Sequence, residues 1–285
     1  MKASDGARID ALPKVVQLAL QPRRMARALR RLGAVLGLRI LGPGYTSRPI
    51  AAGPNAGLYF IAAKRVWHSA KFWAGTYEPE LCQFLQHIIQ PQMVCYDVGA
   101  YLGYHTLIMA RAAERGRVFA FEPLQPVRAI LQQNLNLNGA RNVTVIHQAV
   151  GAATGPIGLS YDLALNMVVN DPTPSSPWQH PRRSIQCAMV TLDEFAASHQ
   201  PPDLIKIDIE GAEAQALAGG SGSLKHHRPL LLIETHGHAS ARQVFEILTE
   251  FEYALYNVRQ PVSPITTLRD VPTSMHEGHV FGRPG

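Results

Sequence analysis

From about residue 76 onward, short apolar runs alternate with stretches whose apolar positions recur at helical spacing. The pattern predicts a helix over Glu80–Gln90 and a strand over Met93–Val98. A second helix follows over Tyr104–Glu114, then a strand over Arg117–Phe121. A helix over Gln125–Asn138 ends at Gly139, where a C-cap glycine belongs. Val143–His147 reads as the third strand. Ile157–Tyr161 and Ile185–Val190 alternate like an antiparallel pair, and Thr191–Ser198 reads as a short helix. A strand over Leu204–Ile209, a single helix over Ala212–Leu224 and a strand over Pro229–Thr235 come next. A helix over Ala241–Glu250 and strands over Tyr253–Val258 and His279–Gly282 complete the reading. Near-continuous apolar strands separated by amphipathic helices imply an α/β fold whose parallel sheet is covered on both faces.

Two regions stand apart from this alternation. In residues 1–75, Met25, Leu29, Leu32 and Leu36 share one helical face with arginines between them, and Pro22 suits a helix start. We read this region as a basic helical extension packed on the main domain. Peripheral contact with an anionic membrane through the same arginines is the alternative. Residues 43–57 are rich in Gly and Pro and read as a linker. The main domain is then expected over 76–285. An irregular insertion at about 162–184 holds Pro172, Pro174, Pro177, Pro181, Trp178, Arg182 and Arg183. Such insertions often form lids over binding sites.

Composition narrows the class. The 285 residues are 46% hydrophobic and 17% charged, as in soluble globular proteins. The net charge of +6 owes much to Arg23, Arg24, Arg27, Arg30 and Arg31, so it describes the N-terminal region more than the domain. The three cysteines, Cys82, Cys95 and Cys187, are scattered, which argues against a disulfide framework and fits a reducing compartment. With no apolar run long enough for a leader or a span, the expected location is the cytoplasm, with or without membrane association.

The chemistry concentrates at strand ends. Val94–Gly103 reads VCYDVGAYLG: a strand, then Asp97, Gly99 and Gly103, then a helix. A glycine turn between strand and helix lets a ligand approach the backbone. A dinucleotide fingerprint would be Gly-x-Gly-x-x-Gly. Here an anion, Asp97, stands two positions before Gly99, which disfavours pyrophosphate and suits S-adenosylmethionine (SAM). Glu122 ends the next strand, where an acidic residue accepts ribose hydroxyls. Gln148, after the third strand, is a candidate for reading an adenine edge. Asp97, Glu122, Gln148, Asp208 and Glu234 all fall at the carboxyl ends of strands, where ligands bind in open α/β sheets.

In order, Tyr-Glu-Pro-Glu (77–80), DVGAYLGYHT (97–106), VFAFEP (118–123), NLNLNG (134–139), TLDEF (191–195), LIKIDIEGAE (204–213) and RPLLLIE (228–234) carry a family signature. The chain resembles the FkbM-type SAM-dependent methyltransferases over roughly residues 76–236. The resemblance implies the class I sheet of seven strands with the last antiparallel. It also implies SAM held by the Asp97–Gly103 turn and Glu122, with Glu78 among the cofactor-binding residues, and importance for the IDIEG segment. It implies O-methylation of a hydroxyl on a sugar or polyketide. The insertion and the first 75 residues fall outside the resemblance, so the acceptor, a small molecule or a glycan or lipid-linked compound, is theirs to select.

Methyl transfer to a hydroxyl needs alignment and a proton acceptor. Asp208 is the candidate base. Lys206 lies on the same side of the strand and favours its ionised form. Glu210 is expected to face the site, and Glu213 to complement the following helix dipole. Asp208, Glu234 and His236 form a candidate ligand set for a divalent metal. His105 is given no catalytic role here, and His226, His227 and His238 read as surface residues. Two other functions compete: a nicotinamide oxidoreductase, against which stand Asp97 and the missing fingerprint, and a non-catalytic SAM-fold binding protein. IDIEG stands where an Asn/Asp-Pro-Pro-Tyr-type motif would mark a base methylase, so no nucleic-acid partner is expected.

Overall fold

The computed structural model describes residues 45–63, 68–162, 167–168, 182–274 and 277–285. The expected basic helix around Met25–Leu36 and the proline-rich part of the expected lid, Trp178 included, lie outside the described residues. The chain divides into two compact units, Met1–Tyr45 and Thr46–Gly285. The second unit takes in residues 46–75 as well as the predicted domain.

Its centre is a sheet of eight strands. In chain order these are β3 (Val94–Val98), β4 (Arg117–Phe121), β5 (Val143–Ile146), β10 (Leu204–Ile207), β11 (Leu230–Ile233), β12 (Tyr253–Asn257), β13 (Gln260–Pro264) and β14 (Val280–Pro284). Across the sheet the order is β13-β12-β14-β11-β10-β3-β4-β5. β3, β4, β5, β10 and β11 are mutually parallel, and β14 runs antiparallel to both β11 and β12. Seven of these strands give the expected class I arrangement. β13, an exposed antiparallel edge after β12, is an addition the apolar pattern does not signal, because every one of its residues is exposed. A second sheet holds β6 (Ala149–Val150), β7 (Gly155–Asp162), β8 (Met167–Val168) and β9 (Arg182–Val190). Its β7–β9 pairing is antiparallel, as the alternation predicts.

The chain leaves β3 toward β5 and returns on the opposite side at β10. This reversal between β3 and β10 is the topological switch point where α/β sheets bind ligands. β3 and β10 are buried along their whole length, including the polar Asp97 and Lys206. Beneath them Tyr96, Phe119, Phe121 and Phe195 pack edge-on or tilted, with ring centroids 4.8–5.8 Å apart.

Helices α1 (His68–Ala74), α2 (Pro79–Ile88), α3 (Tyr104–Ala112), α4 (Gln125–Leu137) and α5 (Leu192–Ser198) follow the predicted bounds where predictions exist. The single helix expected over Ala212–Leu224 is instead two, α6 (Glu213–Ala218) and α7 (Ser221–His226). The break falls at Gly219–Gly220, whose close approach to Gly151 and Leu192 leaves no room for a Cβ at either position. The last helix, α8 (Gly237–Glu250), begins four residues before its predicted start.

α3 is buried from Tyr104 to Ala110, on every face. Residues 50–63 and 68–75 supply the cover. Phe60 and Phe72 pack on Tyr104 at 5.4 and 5.1 Å, and Asn55 donates to the Tyr104 carbonyl. The segment is fastened by Asn134 of α4. Its Oδ1 accepts from Ile61 N at 2.7 Å, and its Nδ2 donates to the carbonyls of Ile61 and Leu102. One fully buried amide thus clamps β2 (Tyr59–Ala63) to the glycine turn.

Replacing Asn134 with Ala leaves one backbone N–H and two carbonyls buried without that partner. At about 1–3 kcal/mol for an orphaned buried group, the variant is expected to lose at least about 2 kcal/mol in urea unfolding. A variant as stable as wild type would show that the clamp carries no weight.

Candidate active site

A cleft of about 780 Å³ opens at the switch point. Its wall includes Tyr77 and Glu78 before α2, Gly99 and Tyr101 of the turn after β3, and Glu122 after β4. His105, Gln148, Lys206, Asp208, Glu210, Gln215 and Glu234 add further polar groups to the lining. Three of the five described non-glycine residues with positive φ, Glu78 (42°), Tyr101 (49°) and Glu210 (57°), lie on this wall. Backbone strain of that kind persists where surrounding structure overrides it, and it gathers at functional sites.

The glycine turn is shaped by packing as much as by any ligand. Gly99 has φ 83°, and a Cβ there would stand 1.8 Å from the Asp208 carbonyl oxygen. The missing side chain lets the ends of β3 and β10 close together. Gly103, at φ 89°, caps α3 and abuts Leu131.

Asp97 lies behind the wall, fully buried. Its Oδ2 accepts from Thr106 Oγ1 at 2.6 Å, and its Oδ1 lies 3.5 Å from Lys206 Nζ. Asp97 and Lys206 are Cα partners across β3 and β10, so register alone brings the charges together. Lys206 also donates to Asp208 Oδ2 at 3.2 Å. Burial works against the ammonium charge. Asp208, Asp97 and Glu78 outweigh it and raise the Lys206 pKa. Burial likewise opposes ionisation of Asp208, yet Lys206 and His236 hold its carboxyl below the usual range.

Next to this pair sits a second network. Glu213, at the first turn of α6, is completely buried. It accepts from Gly211 N (2.9 Å) and Ser240 Oγ (2.6 Å) and pairs with His236 Nδ1 (2.9 Å). Its role is therefore to fix the loop after β10, beyond complementing a helix dipole. The other ring nitrogen of His236 lies 3.5 Å from Glu210, 3.5 Å from Glu234 and 3.9 Å from Asp208. Burial opposes the imidazolium, but the Glu213 bond and the Glu210 and Asp208 charges raise its pKa to about 10. The structure brings together the suggested metal set of Asp208, Glu234 and His236. Its donors are already balanced by Lys206 and by the imidazolium.

Residues 97–258, more than half of the chain, match the Methyltransferase FkbM domain. The chain belongs to the FkbM methyltransferase family. Over 179 residues this FkbM-family chain is 24% identical to the hexuronic acid methyltransferase AglP of Haloferax volcanii, covering 61% of this chain and 68% of that one. Over 48 residues it is 48% identical to the AMB antimetabolite synthetase AmbE of Pseudomonas aeruginosa, 17% of this chain and 2% of the synthetase. Among solved structures, methyltransferase FkbM of Methylobacillus flagellatus is similar at 18% identity and a TM-score of 0.48, over 76% of this chain and 48% of that one. The chain thus spans a small fraction of the synthetase and about half of the Methylobacillus protein.

In this FkbM-family cleft, His105 lines the wall and His279 stands behind Glu234; the residue pattern signals neither. His105 Nε2 lies 3.3 Å from Glu78 Oε2, and His279 Nε2 lies 3.4 Å from Glu234 Oε2. Both histidines are buried. His105 follows the glycine turn, a position from which a function is readable. His279 lies at the far end of the chain, and only the antiparallel entry of β14 beside β11 brings it here.

Glu122 is 5% exposed, and its Oε1 accepts from Leu124 N at 2.8 Å. Burial raises its pKa to about 8, against the backbone bonds from Leu124 and Tyr101. The folded pKa exceeds the ordinary 4.5, so ionisation costs stability progressively as pH rises from the lower value to the higher. A Glu122→Gln variant is therefore expected to gain stability relative to wild type between pH 4.5 and 8 and to keep that gain above pH 8. Parallel melting curves for the two proteins test this. A constant difference across the range would show that Glu122 is not held in its neutral form.

Proposed function

We propose that the cleft binds SAM and transfers its methyl group to a hydroxyl of a sugar-containing or polyketide-type acceptor. The observation that carries this reading is the split between Asp208 and Glu210. They are neighbours on one wall, the first held below the usual carboxylate range and the second pushed up to about 7 by burial and the Asp208 charge. Carboxylates driven apart in this way divide the work of one reaction.

The described lining fits the donor. Among the described residues of the wall, Lys206 is the one lysine or arginine, and it is committed to Asp97 and Asp208. A pyrophosphate would find no free cation there, which disfavours a nicotinamide cofactor. Glu122, with Oε1 on the Leu124 amide, lines the cleft together with Gly99 and suits ribose hydroxyls. Gln148 is the candidate for the adenine edge, and Glu78 remains a wall residue of the same cleft. When bound, SAM supplies an electrophilic methyl group and leaves as a neutral thioether.

Asp208, ionised through Lys206, accepts a hydrogen bond from the acceptor hydroxyl and orients its lone pair. Glu210, whose pKa lies near neutrality, takes the proton as the oxygen–carbon bond forms. Lys206 stays protonated and keeps Asp208 from competing for that proton. The carboxylate-rich wall of Asp208, Glu210 and Glu234 suits a neutral hydroxyl better than an anionic oxygen. AglP, named for a hexuronic acid, supports a sugar-bearing acceptor. Trp178, Arg182 and Arg183 of the insertion, and the basic N-terminal region, are the proposed acceptor- and carrier-selecting parts, with peripheral membrane contact as one use of the latter.

Calorimetry with S-adenosylhomocysteine (SAH), the demethylated product, is expected to show binding that weakens by about 1–3 kcal/mol in Glu122→Ala, the cost of leaving buried hydroxyls without their partner. NAD should give no heat. Tight NAD binding without SAH binding would overturn the donor assignment.

With a panel of glycans, glycolipids and polyketides and labelled SAM, Asp208→Asn should reduce kcat by about 10²–10⁴-fold while leaving SAH affinity within a few-fold. Equal turnover in the variant would remove Asp208 from the chemistry. Glu210→Gln should flatten the rise in kcat that wild type shows through about pH 7.

A further inference from the structure

We propose that Glu78, Glu234 and His279 form a binding site for one divalent transition-metal cation, with His105 beside it as a further nitrogen donor. The three side chains come from separate elements: the residue before α2, the residue after β11 and the residue before β14. One donor atom from each lies within 4.8 Å of the others. His279 Nε2 is 3.4 Å from Glu234 Oε2 and 3.7 Å from Glu78 Oε2, and His105 Nε2 is 3.3 Å from the same Glu78 oxygen. A tetrahedral ion with nitrogen and oxygen donors at about 2.0–2.2 Å has donor–donor edges of about 3.3–3.6 Å. The three spacings of 3.3–3.7 Å lie close to that frame.

A second, independent observation is the state of these donor atoms. Both carboxyl oxygens of Glu78, Nε2 of His105 and Nε2 of His279 are buried and have no hydrogen-bond partner. Their side chains are 6%, 8% and 7% exposed. Buried polar atoms are almost always satisfied, and here Nε2 of both rings faces the same unsatisfied oxygen, Glu78 Oε2, at 3.3 and 3.7 Å. The charges also balance: two carboxylates, Glu78 and Glu234, against one dication.

The neighbouring set of Asp208, Glu234 and His236 fits a cation less well. Lys206 already occupies Asp208, and His236 is bonded to Glu213 and carries its own charge. Mixed imidazole and carboxylate donors suit zinc, cobalt, iron or manganese in preference to calcium or magnesium. Glu78 and Glu234 both line the cleft, so an open coordination position there would meet a ligand oxygen. Use of the ion to acidify an acceptor hydroxyl rests on the proposed methyl transfer. The site itself rests on the geometry alone.

The test uses the full chain, stripped with a chelator and dialysed. Zinc calorimetry should give one ion per chain, and cobalt should give the visible absorption of a low-coordinate site. His279→Asn and Glu78→Gln should each weaken zinc binding by at least about tenfold, whereas His226→Asn and His236→Asn should not. Wild type without stoichiometric zinc, variants that bind as wild type does, or a loss confined to His236→Asn would each overturn the proposal. If the substituted proteins do not fold, the wild-type cobalt spectrum decides: low-coordinate bands support the site, and the spectrum of hydrated cobalt overturns it. SAH calorimetry on the stripped protein separates the two readings. SAH binding without zinc binding sinks only the metal site, and zinc binding without SAH binding sinks only the donor assignment.

Discussion

The domain is organised around one buried ammonium. Lys206 is 3% exposed, in the middle of a sheet covered on both sides. A charge in that position is tolerated only if paired. Asp97 lies opposite it in register on β3, and Asp208 two residues along β10. Removing one partner of a buried ion pair typically costs about 3–5 kcal/mol, because the other charge is stranded. Asp97 has the more to lose: its Oδ1 has no hydrogen bond of its own. The same lysine sets the ionisation of Asp208 on the cleft wall. The bond that holds two strands together therefore also fixes the electrostatics of the proposed site.

Around that pair, anchoring is divided between elements far apart in sequence. Glu213 pins the loop after β10 and the ring of His236. Asn134 pins β2 and the glycine turn. Gly99 permits the contact between the ends of β3 and β10. The Asn134 bond to Leu102 and the Glu213 bond to Gly211 fasten the residues next to the strained Tyr101 and Glu210.

Much of this is legible from residue order. β3, β4 and β10 are buried on both faces, so their apolar runs stand out, and the strand-end positions of Asp97, Glu122, Asp208 and Glu234 follow directly. The glycine turn is legible as a close approach. What closes on it is not: the partner of Gly99 is a backbone carbonyl, which leaves no trace in side-chain pattern. Asp97 reads as a ligand contact because a strand-end carboxylate is usually exposed, whereas its contacts with Thr106 and Lys206 appear only with the fold and register. β13 is invisible because it is exposed throughout. The helix expected over Ala212–Leu224 breaks at adjacent glycines whose packing against Gly151 and Leu192 cannot be read locally. His105 reaches the cleft through helix burial and His279 reaches Glu234 through the reversed direction of β14, neither of which a pattern of residue types records.

The pairing of β3 with β10 has a consequence for how the molecule comes to exist. Asp203 accepts from Val94 N across 109 residues, and Asp97 meets Lys206 over the same span of chain. Contacts this distant form late, because closing so large a loop must precede any reward from the contact. β4, α4, β5 and the whole second sheet lie between the two partners in sequence. A chain emerging in order would hold Asp97 among apolar residues, without its counter-charge, until β10 has been made. Assembly of the central sheet is thus tied to completion of the site: partly folded chains lack the pair that gives the cleft its charge, and commitment to the native topology is also commitment to chemistry.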